Sequence, residues 1–255
     1  MSVRGPCQGV GMDDLQFVDT NLRGARFVRS DLSGAVMRGV EVSGADIDAP
    51  WLLSGPNQLL INDVDVAPYV DAELDRRFPG RSERRAADPA GLQAAWAKLE
   101  AAWAAALDRA AQLPAGSVEI SVDGEWSFAE TLRHLIMATD TWLRRAIFEI
   151  GQPYHPAGQP NVEFATDGHD TTVFATPNPS YAEVLEARAD RQTMVRSYLA
   201  ALTPADLATS RRNPWSPEYP ETTLSCLHTI LEEEWEHLRY ALRDLQTLEL
   251  NGPQG

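Results

Sequence analysis

The chain has 255 residues, 44% of them hydrophobic, and a formal net charge of -15 at pH 7. Its length favours one or two domains with a sizeable core, and its acidity excludes the usual nucleic-acid partner, whose phosphates attract clustered Lys and Arg. The sequence has neither an apolar run long enough to span a membrane nor the apolar stretch of a signal peptide, so we expect no membrane attachment. Cys7 and Cys226 are the two cysteines, and so few cysteines without an export signal indicate the reducing cytoplasm.

The first element is a repeat with a period of five over residues 15–48. A large apolar residue stands at every fifth position, namely Phe17, Leu22, Phe27, Leu32, Met37, Val42 and Ile47. The residue two places before each of them is small in most repeats. Neither the 3.6-residue period of a helix nor the two-residue period of a strand produces this pattern.

The repeat resembles the pentapeptide-repeat family, whose motif is roughly A(D/N)LXX. The closest matches to that motif are Asn21-Leu22, Asp31-Leu32 and Ala45-Asp46-Ile47. The resemblance implies a short right-handed β-solenoid over residues 1–50, with the central apolar residue of each repeat pointing inwards. Such a core is buried by the stacking of coils. Four repeats make one coil in this family, so seven repeats give fewer than two coils. We therefore expect the segment to pack against the rest of the chain through a junction at 51–84. Its nearly neutral charge favours a cap or interaction surface over a mimic of DNA.

After residue 85 the apolar pattern becomes helical. Asp88-Pro89 is a helix-start signal, with Asp as the cap and Pro at the first helical position, and predicts a first helix over about 89–112. A second helix should follow Ser127, which forms a capping box with Glu130.

Two further helices complete the predicted elements. The same S-x-x-E signal at Ser180 predicts a third helix over about 180–201, and the apolar periodicity predicts a fourth over about 222–247. Segment 151–179, between helices two and three, is rich in Pro, Gly, Asn and Thr, which predicts a long loop. Such a loop is a candidate wall or lid of a functional site. The fold predicted is α+β and multidomain: a four-helix bundle over 85–250, preceded by the solenoid.

The candidate chemistry lies on helices two and four. Glu233 and His237 are four residues apart, so their side chains project from one helix face and could form half of a metal site. His134 is the histidine of helix two, flanked by leucines and isoleucine, and could supply a third ligand. Glu234 competes with Glu233, and spacing alone does not decide between them. His155 and His169, in the long loop, are weaker alternatives.

The sequences EWSFAETLRHLIMATDTW at 125–142 and EEEWEHLRYALRDL at 232–245 resemble the DinB/YfiT-like superfamily, in its DinB_2 branch. A histidine on helix two with a two-ligand motif on the last helix is characteristic of that superfamily. The resemblance implies a metal held by His134, Glu233 and His237. Many members have His where this chain has Glu233; the glutamate is similar to the site of mycothiol-dependent maleylpyruvate isomerase.

Three protein ligands would leave a coordination position open, as in catalytic sites. A metal there deprotonates a bound thiol, which predicts a metal-dependent S-transferase that moves a small thiol, with mycothiol as the expected co-substrate, onto an electrophilic small molecule. Zn is the first choice of ion, with Ni, Mn or Fe as alternatives. Competing hypotheses are a non-catalytic metal-binding bundle with a pentapeptide interaction module, and a metal-assisted hydrolase or isomerase. A homodimer is compatible with all of them.

Five other residues receive a structural interpretation. Cys226 should be about 10 Å along the helix from Glu233 and thus a buried core residue. His228 lies on the opposite face from His237 and is expected to be structural or exposed. Asp140 is expected to be locally bonded or exposed, and Trp126 and Trp142 to serve in packing.

Overall fold

Four long helices dominate the computed structural model, which describes residues 15–251. They are α2, α3, α4 and α6, and span Pro89–Ala110, Phe128–Thr139, Tyr181–Ala201 and Thr223–Asn251. Helices α2 and α3 each pack against both α4 and α6, so the four enclose one hydrophobic core. Fully buried tryptophans fill much of it, namely Trp96, Trp103 and Trp235. Within the described part of the chain, no helix is both long and apolar enough to cross a membrane.

The predicted helix starts are confirmed. The Asp88 carboxylate accepts a hydrogen bond from the Gly91 N–H at 3.0 Å, with Pro89 in the first turn. Ser127 and Ser180 each form the complete capping box with the glutamate three residues later. Each start satisfies backbone N–H groups that the helix itself leaves without partners.

The second half of predicted helix two is not a regular α-helix. After Thr139 the chain forms a π-helical segment, Asp140–Ile147. The hydroxyls of Thr139 and Thr141 donate to the carbonyl oxygens of Leu135 and Met137, each at 2.9 Å. Such side-chain bonds compete with the regular backbone ladder, and apolar periodicity alone could not predict the wider turn.

The remaining elements are short. Helix α1 spans Ala67–Arg77, helix α5 spans Pro204–Leu207, and 3-10 turns lie at Pro50–Leu53, Arg81–Arg85, Ser117–Glu119 and Thr171–Val173. Strands β1 (Leu60–Ile61) and β2 (Val64–Asp65) form one antiparallel hairpin with Leu60 opposite Asp65. Strands β3 (Ser210–Arg212) and β4 (Pro220–Thr222) form another with Arg211 opposite Glu221.

The repeat segment turns at every fifth residue, but it contains no β-strand between residues 15 and 48. Positive φ angles recur at positions 19, 24, 29, 34, 39 and 44, and hydrogen bonds of 2.9–3.0 Å close the turns at Ala25, Ala35 and Ala45. The seven apolar residues are 43–61% exposed, against the expected inward burial. A repeat coil buries its core only against neighbouring coils, and this segment is too short to supply them. The solenoid is therefore not confirmed.

Two sets of ion pairs join the N-terminal half to α6. Arg81 and Arg84 are almost fully buried, and both bind the carboxylates of Asp71 and Asp75 on α1. Arg81 also approaches Glu236 of α6, at 3.6 Å. At the end of the repeat segment, Asp48 accepts a hydrogen bond from Arg239 at 2.8 Å and one from the Tyr240 hydroxyl at 3.3 Å.

Candidate metal centre

His134, Glu233 and His237 converge between α3 and α6. One potential ligand atom from each lies within 4.8 Å of those of the other two, and the group could hold a metal ion. His134 Nε2 is 3.6 Å from Glu233 Oε2, near the separation of roughly 3.4 Å between two ligands of a tetrahedral Zn²⁺. The side chains are 10%, 20% and 15% exposed in that order, so the group is not sealed from solvent.

Both imidazoles are oriented by backbone carbonyls. His134 Nδ1 is 3.1 Å from the carbonyl oxygen of Gln159, and His237 Nδ1 is 2.8 Å from that of Glu233, one helical turn earlier. A carbonyl oxygen can only accept, so each Nδ1 carries the proton and each Nε2 keeps its lone pair. Such outer hydrogen bonds are the usual means of fixing a metal-binding histidine. The donor set therefore fits a divalent ion.

The electrostatics favour the protonation states of Glu233 and His237 that metal binding requires. Burial lowers the pKa of His237 and the neighbouring His134 adds to this effect, so that the pKa is about 4. Burial would raise the pKa of Glu233, but the neighbouring imidazoles of His134 and His237 favour the carboxylate and outweigh that effect, so the pKa falls below its ordinary value. At neutral pH Glu233 is thus a carboxylate and His237 a neutral imidazole.

The structure separates the two competing glutamates. Glu234 is 1% exposed and forms an ion pair with the equally buried Arg188 of α4. Burial raises the pKa of Glu234, and Arg188 opposes that rise. Its carboxylate is therefore engaged in the core, while Glu233 faces the two histidines. The sequence spacing could not distinguish them, because a glutamate three or four residues before His237 lies near the same helix face.

A strap of residues 153–159, the first part of the predicted loop, is fastened along α3 and the π-helical segment. Arg144 donates to the Pro153 carbonyl, and Arg133 Nε donates to the Ala157 carbonyl at 2.9 Å. The backbone N–H of His155 donates to Asp140 at 2.7 Å. These bonds hold Gln159 where its carbonyl meets His134, so the loop forms a wall of the site.

Asp140 is a buried carboxylate with more partners than the sequence predicted. It is fully buried, and Arg191 of α4 binds its carboxylate at 2.6 Å. The expected local hydrogen bond is present, from Arg144 at 3.3 Å, but the alternative of an exposed position is wrong, because the carboxylate also binds Arg191 of α4 and the His155 N–H of the strap. The sequence could not predict this contact, because Asp140 and Arg191 are distant in the chain and meet only when α3 and α4 pack together.

Aromatic rings cover the candidate ligands. The centroid of the Trp126 ring lies 4.6 Å from that of His134 and 6.2 Å from that of His237, while Tyr240 meets His237 edge-on at 5.9 Å. Trp126 therefore packs, as expected, but against the site itself. Trp142 is buried in the main core, as predicted.

The other sequence candidates lie elsewhere. Cys226 is fully buried, and burial raises the pKa of its thiol to about 12, which makes it a core residue and not a nucleophile. His228 Nε2 lies 2.8 Å from the Ala86 carbonyl, a structural contact. His155 Nδ1 accepts from the Ala157 N–H, and the His169 ring meets the Trp215 ring at a tilt of 58° with centroids 5.3 Å apart. Cys7 lies outside the described residues.

A cleft of about 320 Å³ opens where the N-terminal ends of α3 and α4 meet. It is lined by eight residues, namely Glu119, Ser127, Ala129, Glu130, Arg133, Asn178, Pro179 and Val184. None of the three candidate ligands lines it. Glu130 and Arg133, however, lie within about one helical turn of His134 on the same helix.

Comparison with known proteins confirms both resemblances. A family model described as the DinB superfamily matches residues 98–241, more than half of the chain. A model described as pentapeptide repeats matches residues 16–48 in 8 copies. No curated protein and no solved structure matches the chain.

Proposed function

Because the chain belongs to the DinB superfamily, we propose that His134, Glu233 and His237 bind a divalent metal ion, with Zn as the first choice, and that the protein is a metal-dependent S-transferase. Its substrates would be a low-molecular-weight thiol, with mycothiol as the first candidate, and an electrophilic small molecule. The observation that carries the proposal is the convergence of two oriented imidazoles and one ionised carboxylate at a partly exposed position.

The chain's own residues support this chemistry in defined ways. The Gln159 and Glu233 carbonyls hold the imidazoles with Nε2 free, and the Glu233 carboxylate supplies a negative charge between them. A bound divalent ion would supply a Lewis acid that favours the thiolate form of a coordinated thiol. Trp126 and Tyr240 limit the access of water from their side.

The proposal extends to the domain organisation. Residues 85–250 would form the four-helix bundle of the superfamily, 51–84 the junction, and 1–50 a short right-handed pentapeptide solenoid. The packing of α2 and α3 against both α4 and α6 supports the bundle. The regular turns at every fifth residue support the solenoid path, although residues 1–14 lie outside the described residues.

Metal analysis of the purified protein tests the site first. The wild-type chain should contain close to one equivalent of a divalent metal, and Glu233→Gln and His237→Ala should each lose it. His228→Ala is the matched control, because this histidine lies on the same helix and bonds the Ala86 carbonyl. Retention of a full equivalent by either ligand variant would refute the assigned group.

A thiol-conjugation screen then tests the reaction. Mycothiol and other small thiols should be consumed with an electrophile by the metal-loaded wild type and by His228→Ala, but not by His237→Ala. Metal binding without conjugation of any thiol would favour the non-catalytic alternative. Product formation without thiol would favour metal-assisted hydrolysis or isomerisation.

A further inference from the structure

Three aromatic rings pack together at the candidate metal centre. The imidazoles of His134 and His237 stack at 29°, with their centroids 4.7 Å apart. The indole of Trp126 is inclined by 36° to the first imidazole and by 21° to the second, with centroid distances of 4.6 and 6.2 Å. Aromatic rings at such distances prefer particular mutual orientations. Trp126 therefore restricts the rotation of both imidazoles, although an indole offers no ligand atom to a metal.

The backbone that carries Trp126 is fixed on both sides. Before it, the Glu125 N–H donates to the Val122 carbonyl at 2.9 Å, and the Ser121 hydroxyl donates to the Glu125 carbonyl. After it, Ser127 begins α3 with a complete capping box. The place of the indole over the imidazoles therefore depends on this turn and on what holds the side chain of Glu125.

A group of polar side chains joins Glu125 to the end of the repeat segment. We call it the Asp48 cluster, and it consists of Asp48, Glu125, Arg239, Tyr240 and Arg243. Arg243 forms an ion pair with Glu125 and lies 3.8 Å from Asp48, which accepts hydrogen bonds from Arg239 and Tyr240. Both guanidinium groups lie over the Tyr240 ring, at 4.3 and 5.3 Å from its centroid. Single exposed ion pairs contribute little, but a network of several charges is more effective.

We propose that Trp126 is a positioning residue of the metal centre, and that the Asp48 cluster holds it in place. The end of the repeat segment thereby controls how fast a bound ion exchanges with the solution. Two contacts transmit this control, because Glu125 directly precedes Trp126 and because Tyr240 meets the His237 ring edge-on at 5.9 Å. The apolar surround of a metal site governs solvent access, and its packing holds the ligands in place. The inference rests on the proposed metal site but not on the proposed reaction.

The rate at which a chelator removes Zn²⁺ from the full-length protein tests the role of Trp126. Trp126→Ala should release the metal at least about tenfold faster than the wild type, whereas Trp126→Phe keeps an aromatic ring and should stay within about threefold. Trp51→Ala is the matched control, because this tryptophan is 49% exposed and lies in the 3-10 turn Pro50–Leu53, outside the packed rings. Circular dichroism with chelator present should show all three variants folded.

The visible absorption of the Co²⁺-loaded protein separates positioning from a loss of stability, because it reports the coordination geometry of the ion. Trp126→Ala should alter this absorption, since the imidazoles can reorient and water can reach the ion. Trp126→Phe and Trp51→Ala should keep the wild-type spectrum. An unchanged spectrum in Trp126→Ala would contradict a positioning role.

Substitutions in the Asp48 cluster test the link to the repeat segment. Asp48→Asn and Glu125→Gln should each accelerate Zn²⁺ release by about two- to fivefold. In the Trp126→Ala background, Glu125→Gln should add nothing, because its effect acts through the indole. Asp46→Asn is the control, an exposed carboxylate two residues before Asp48.

The possible results distinguish this inference from the proposed function. Equal release rates from Trp126→Ala and the wild type would overturn it, as would fully additive effects of Glu125→Gln and Trp126→Ala. A wild type that binds no metal would refute the metal site, and this inference with it. Release rates as expected, without conjugation of any thiol, would support the inference and refute only the proposed reaction.

Discussion

At the scale of single residues, His134 is held by a backbone carbonyl on a loop and not by an acidic side chain. The Gln159 carbonyl lies 3.1 Å from Nδ1 and fixes the tautomer without adding charge. The net charge of the donor set therefore comes from Glu233 alone, a single negative charge that would leave a divalent ion partly unneutralised. Such an ion would be a strong Lewis acid towards a further ligand.

His134→Ala should leave the fold intact while removing the metal. The apolar stripes supply most of the folding free energy, and a catalytic metal adds stability only through its binding linkage. In the presence of a chelator, we expect Tm values of the variant and the wild type to agree closely. A structural metal predicts a different result, in which the chelator itself causes a large drop in the wild-type Tm.

Asp140→Ala should cost about 3–5 kcal/mol of unfolding free energy, because it leaves the buried Arg191 guanidinium without its main partner. Urea unfolding with chelator present measures this loss without a contribution from metal. Asp190→Ala is the matched control, since this carboxylate also binds Arg191 but is 62% exposed, and should change stability by less than about 1 kcal/mol. Equal effects of the two variants would contradict the role assigned to Asp140.

At the scale of elements, the contact between α1 and the 3-10 turn Arg81–Arg85 is an ionic cluster that titrates in acid. Burial would raise the pKa of Asp71, but hydrogen bonds from Arg81, Arg85 and Arg84 lower it to about 2. A carboxylate whose pKa is lower in the folded chain stabilises the fold above its ordinary pKa of 3.8. That stabilisation is lost as the pH falls towards 2.

Asp71→Asn should therefore destabilise the protein by about 1 kcal/mol at neutral pH. The difference from wild type should shrink between pH 4 and pH 2, because over that window the unfolded chain takes up a proton at this carboxylate at a higher pH than the folded chain does. Denaturant unfolding at a series of pH values measures this. Asp63→Asn, an exposed carboxylate in the turn between β1 and β2, serves as the control. A pH-independent difference would show that charge is not the cause.

At the scale of the whole molecule, one residue fastens the repeat segment to the helix that carries two candidate ligands. Asp48 binds Arg239 and Tyr240 and lies 3.8 Å from Arg243, which itself pairs with Glu125 beside Trp126. The repeat segment, the ring that covers the imidazoles and the last helix therefore meet at one point.

Asp48→Ala should release the repeat segment without unfolding the helices. We expect protease cleavage between residues 15 and 60 to become faster. The thermal unfolding of the helical part should change little, because Asp48 does not belong to the hydrophobic core. Asp46→Ala is the control, two residues away and exposed. Both variants should be compared as monomers at low concentration. Unchanged cleavage in Asp48→Ala would show that other contacts hold the segment.

The elements whose signals are local could be predicted from the amino-acid sequence. The five-residue period, the caps at Asp88, Ser127 and Ser180, and the helix-four pair Glu233 and His237 depend on neighbours within a few residues, so they could be read directly. Only the folded structure shows that Glu234 pairs with Arg188, that Asp140 is buried, that the strap orients His134, and that the apolar residues of the repeat segment are exposed. Each of these depends on residues distant in sequence that meet across helices, and periodicity carries no information about which faces meet.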